Sequence, residues 1–125
     1  MRVIVSEIYG NEVLVTTEFG NVRGKWCSNN PPKCKEYILE LDCSDILSAQ
    51  NCQLTDCETP LLGMEKGRVH VCGLCESCED RVLFLRLGKY LIMLECACNL
   101  DVSSFIGRYI HVVLSSLKLY DTGVL

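Results

Sequence analysis

Short β-branched runs, each ended by a glycine-bearing turn, leave this chain few folds other than strand meanders. RVIVSEIY (2–9) and EVLVTTEF (12–19) flank Gly10-Asn11, a dipeptide that tolerates the left-handed backbone of a tight hairpin turn. Gly20-Asn21 predicts the next turn, ahead of VRGKWC. Pro31 and Pro32 make the following stretch a loop, because neither can donate to a ladder. EYILELDC then alternates, with Tyr37, Leu39 and Leu41 on one face and Glu36, Glu40 and Asp42 on the other, as a half-buried strand requires. RVHVCGL, RVLFLRL and YLIMLECAC follow, with Gly88-Lys89 as the turn between the last two, and RYIHVVLSSLKLYD ends the pattern as one bent strand or two. Only two short pieces read otherwise. One helical turn is predicted after Ser44 or Asp45, and a short helix from Asp101 or Ser103 to Gly107.

The expectation is an all-β chain of antiparallel small barrels, with seven to nine strands and little helix. A first β unit spans 1–49, a connector 50–65 and a second β unit 66–125, within one compact domain. The two units resemble each other. RVIVSEI (2–8) lies over RVHVCGL (68–74), EVLV (12–15) over RVLF (81–84), Gly20 over Gly88, Cys27 over Cys96, and the Tyr-Ile pairs at 37 and 109 over one another. An internal duplication accounts for this order.

The meander from Arg68 to Cys98, the SSFIG element and GRYIHVVLSSLKLY resemble, in pattern, the small barrels of the OB-like and TOBE-like families. The resemblance covers residues 68–125 and implies two related OB-like halves. It implies a scaffold whose face and loops bind a ligand or partner, without naming it.

Composition narrows the function classes. Apolar residues at 49% suffice for a core. The formal charge of −4 argues against nucleic acid and against anionic membrane surfaces, both of which are met by basic patches. The start, MRVIVSEIYG, has no apolar h-region, and no run is long enough to span a bilayer; the expectation is a cytoplasmic protein. No P-loop, dinucleotide fingerprint or paired-carboxylate motif is present. The two histidines, His70 and His111, lie in alternating strands and read as strand residues with satisfied rings, so no enzyme is expected.

Ten cysteines remain to be placed. Cys72, Cys75 and Cys78 stand three apart, and Cys96 supplies a fourth donor for a zinc site. Against zinc, a strand and its turn are expected there, and only Gly73 helps a metal knuckle form. Reduced, mostly buried thiols are the reading preferred over a metal site or a disulfide scaffold, and no cofactor is expected.

What remains is a binding surface. Trp26 beside the proline loop, and Glu76, Glu79 and Asp80 in one hairpin turn, are the candidate contacts with a protein partner. In bulk character the chain is similar to bacterial toxin-immunity proteins, which implies a basic toxin domain as partner. An OB-like small-ligand or zinc-binding module is the alternative.

Overall fold

In the computed structural model, which describes residues 1–125, twelve strands and no helix build the fold. β1 (Arg2–Tyr9), β2 (Glu12–Thr17) and β3 (Gly20–Trp26) form a meander, and β4 (Glu36–Asp42) returns to pair with β1. β5 (Ile46–Leu47), β6 (Cys52–Leu54) and β7 (Leu61–Glu65) follow. β8 (Arg68–Glu79), β9 (Val82–Leu87) and β10 (Tyr90–Cys96) make a second meander, β11 (Tyr109–Leu114) returns to β8, and β12 (Lys118–Asp121) completes the set. The alternation works as expected: Val3, Val5, Val13, Val15 and Val22 are buried, and their neighbours along each strand are mostly not.

Each meander takes a parallel strand from the other half. β12 runs parallel to β3 (Lys118↔Lys25, Leu119↔Trp26) and antiparallel to β4, closing a barrel in the order β1-β2-β3-β12-β4. β5 runs parallel to β10 (Ile46↔Glu95, Leu47↔Cys96). The two exchanged strands leave their own units through segments that touch: the Asp45 carboxylate accepts from Ser115 N at 3.0 Å and Ser115 Oγ at 2.9 Å. The second sheet has the order β5-β10-β9-β8-β11-β6 with β7 added on β8. Its end strands β5 and β6 are joined by the turn Ser48–Asn51, in which Asn51 Oδ1 accepts from Ser48 N at 2.7 Å. The second unit thus has a fifth strand broken by a turn, where the first has β12 unbroken.

Backbone registers fix the repeat. Val5 faces Val15 and Cys75 faces Leu85, and a bulge follows each pair, at Val5/Glu7 and at Cys75/Ser77. Trp26 N donates to Asn11 O, and Cys96 N to Arg81 O. All of these correspond at a constant 70 positions. The letter match of 2–8 over 68–74 is therefore four residues off: Arg2 corresponds to Cys72, Gly20 to Tyr90 and Trp26, not Cys27, to Cys96. Valine-rich strands slide over one another in sequence because side chains repeat every two residues.

Other expectations are corrected by the structure. The segment 50–65 is not a bare connector, since it holds β6 and β7. Residues 44–47 give β5 rather than a helical turn, and 101–107 form turns rather than a helix. The second turn falls at Glu18-Phe19, where Thr17 Oγ1 accepts from Phe19 N at 3.0 Å. Gly20 itself lies in β3, and it must be glycine: a Cβ there would sit 2.2 Å from Leu62 O. The 68–125 segment also does not close its own barrel, because its last strand closes the other one.

One cluster of 28 buried side chains runs through both units and includes both Leu47 and Leu119. Each unit therefore buries a leucine owned by the other. Leu47→Ala and Leu119→Ala should each cost about 3 kcal/mol, the usual scale for a buried leucine. Both should lower a single cooperative transition in denaturant. Two separate transitions, one per unit, would contradict the exchange as the source of cooperativity.

Candidate functional site

Trp26, expected at a contact surface, is inside. Its side chain is 6% exposed, its ring meets Tyr37 edge-on at 5.0 Å, and Nε1 donates to Asn30 O at 2.6 Å. A tryptophan whose donor and faces are used internally plugs the mouth of the barrel and offers nothing to a partner. Glu76 is held by Arg86 at 2.9 Å. Glu79 ends β8 and Asp80 begins the turn with φ of 51°, both exposed. Trp26 is buried while Glu79 and Asp80 are exposed, so they do not form one contact surface.

The ten cysteines are all free. Cys72 lies on the face of β8 opposite Cys75, so the sequence triplet is split between two sides of a strand. Cys75, Cys96 and Cys52 are buried, with Cys78 half-buried against the same core. Burial pushes Cys52 up to about 12, helped by Cys96 and Cys75, and raises Cys75 and Cys96 to about 11, helped by neighbouring thiols. No three His, Cys, Asp or Glu side chains converge as metal ligands. Val5, Ile8 and Trp26 hold in the first unit the positions of Cys75, Cys78 and Cys96, so the thiols stand where the fold needs apolar side chains.

The two histidines satisfy each other. His70 Nδ1 lies 2.9 Å from His111 Nε2 with the rings stacked, on the outer face of β8 and β11. Burial, then the His70 charge, lowers the pKa of His111. The bond needs one neutral ring nitrogen as acceptor.

The open concavity of the molecule lies elsewhere, between the units. A cleft of about 560 Å³ runs between β10, from Tyr90 to Met93, and β4, from Leu39 to Asp42, with Tyr120 of β12 at its side. Eight of its ten lining residues are hydrophobic, and the rest are the acids Glu40 and Asp42. Leu91 is 46% and Met93 60% exposed, so the outer row of β10 is apolar where a solvated strand would be polar. The sequence carried one sign of this. YLIMLE breaks alternation, with apolar residues on both faces, while Glu40 and Asp42 read only as the wet side of a strand.

Comparison with protein families, with curated proteins and with solved structures gave no match in any of the three.

The thiols provide a test of this placement. Cys34, Cys57 and Cys98 are exposed and should react at once with a thiol reagent, whereas Cys52, Cys75 and Cys96 should react only on unfolding. Unfolded thiols ionise near pH 8.5, while the buried ones hold their protons. Their stabilising contribution is thus complete below that pH and is lost as pH rises towards the folded values. The denaturation midpoint should fall between about pH 9 and 11; a flat profile would remove these thiols from the core.

Proposed function

We propose that this protein is a non-enzymatic, OB-like protein-binding module of the cytoplasm whose working surface is the cleft between β10 and β4. The observation that carries the reading is the cleft itself: an apolar floor open to solvent, with Glu40 and Asp42 as its only charged side chains and the Met1 ammonium, bonded to Leu39 O at 2.7 Å, at its margin. Open apolar surface rimmed by charge marks a protein-interaction site more often than it marks waste area. The overall charge of −4 suits a basic partner. An immunity protein that covers a basic toxin domain is the specific role this surface fits. Glu79 and Asp80 add negative potential from the other end of β10, where Glu95 pairs with Val82, and steer rather than anchor.

A second reading, a small-ligand module, draws on the cleft volume, which falls in the usual range for such sites. The exposure of Leu91 and Met93 favours the macromolecular partner, since a small ligand in the cleft would cover only the side of them that lines it.

The test uses a partner cross-linked to the native protein and then purified. Met93→Asp should raise the off-rate at least about tenfold, while Glu79→Lys with Asp80→Lys should lower the on-rate and its salt dependence. A partner whose binding ignores Met93, Glu40 and Asp42 would place the function elsewhere.

A further inference from the structure

The repeat relation shows what kind of object the cleft holds. The interval between the units occurs twice, once beside β3 and once beside β10. Beside β3 it is occupied by the chain itself. β7 hangs on β8 through the pairs Leu61↔Cys72 to Glu65↔Arg68 and reaches across to the turn before β3, where Leu62 N donates to Phe19 O at 3.1 Å. Leu62 is fully buried there. The hollow left on that side is about 280 Å³ and is lined in part by Met64 and Gly67 of the β7–β8 hairpin. Beside β10, at the corresponding place, the hollow is about twice that size and no strand of the chain enters it.

The edge of β10 is also unused. Cys96 N donates to Arg81 O, so the even residues of β10 turn their amides towards β9, and those of Leu91 and Met93 point away from it. β5 meets β10 only at Glu95 and Cys96. The backbone groups of Leu91 and Met93 therefore face the cleft without a ladder. Soluble proteins guard such edges with lysine, proline or a bulge; this one carries leucine and methionine.

From these observations we infer that the cleft takes an extended segment of the partner protein, which adds as a strand to the edge of β10 at Leu91 and Met93, in the interval whose sister is occupied by β7. The inference rests on the protein-binding reading above and specifies its mode. The segment carries an apolar side chain in the place that Leu62 fills beside β3, and a lysine or arginine next to it, facing Glu40 and Asp42. Tyr90 stands where β3 has Gly20, the residue that lets Leu62 O approach. The segment therefore lies further along β10, towards Met93, than β7 does along β3. The Met1 ammonium, bonded to Leu39 O at 2.7 Å, and Lys89, whose Nζ lies 5.5 Å from the Tyr90 ring, put positive charge at that end of the cleft, so the segment's basic residue lies away from it, towards Asp42.

The probe is a synthetic peptide of residues 59–66 with Glu65→Lys, titrated into isotope-labelled full-length protein. Amide signals of Leu91, Met93 and Leu39 to Asp42 should shift, with a dissociation constant below about 1 mM. Asp42→Lys should weaken binding by roughly fivefold, the scale of one exposed ion pair. A peptide methylated on the backbone nitrogens that would face β10 should not bind. If it binds as well as the parent, strand addition fails while the cleft remains a protein site. If Phe19 and Gly20 shift instead, the peptide has displaced β7 and the assignment to β10 is wrong. Absence of any shift, or concentration-dependent dimers abolished by Met93→Asp, would also overturn it, the latter by making a second copy the occupant.

Discussion

Two parallel contacts, each only two residues long, knit the halves of this fold together, with the antiparallel pairing of β12 on β4 beside them. Leu119 beside Trp26 completes the first unit and Leu47 beside Cys96 the second. A parallel pair cannot be made by a hairpin; it needs a crossover, and here the crossovers run between units. The consequence is energetic. Neither meander can bury its third strand without a leucine delivered by the other half, so the two cores become one. The contact of Asp45 with Ser115 marks where the exchanged segments pass and satisfies Ser115 N, which would otherwise lack a strand partner.

Exchange by itself would give two equivalent halves; the differences between them create the surface. In the first unit the mouth is closed by one large side chain, Trp26, with its own hydrogen bond. In the second, Cys96 holds that place, and a longer loop supplies Leu100 and Phe105 to the core. The fifth strand is unbroken in β12 but interrupted at Ser48–Asn51 between β5 and β6. β5 covers β10 only at Glu95 and Cys96, just as the unbroken β12 covers β3 only at Lys25 and Trp26. The intervals differ further along: β7 lies beside the start of β3, and no strand adds to the outer edge of β10 at Leu91 and Met93, which stays open.

The strands, most turns and the presence of two related halves were legible in the sequence because they are local: alternation, Gly10-Asn11, Gly88-Lys89. The register of the repeat was not. Its two markers are a bulge after Val5 and one after Cys75, and a bulge has no letter of its own. Strand exchange was equally silent, since SDIL and SSLKLY look the same whichever unit they enter. The short β6 and β7 were hidden because QNCQL and PLLGM have little alternation and draw their strand character from β11 and β8. Trp26 misled for a simple reason: a lone tryptophan by a proline loop has the same neighbours in sequence whether it faces in or out.

The candidate surface was the least legible part, and the cause is general. Leu91 and Met93 lie on a strand whose inner face is also apolar, so the run reads as a buried strand and predicts no surface at all. Glu40 and Asp42 lie 50 residues away on the other unit and meet the β10 edge only because β4 stands next to it in the assembled pair. Neither strand is a site alone. Their meeting depends on the same two exchanged leucines that complete the cores, so loosening either parallel contact should open the cleft before it unfolds a barrel. Binding at the cleft would then stabilise the exchanged arrangement by mass action, and a partner that adds a strand to β10 would supply the cover that β5 gives only at Glu95 and Cys96.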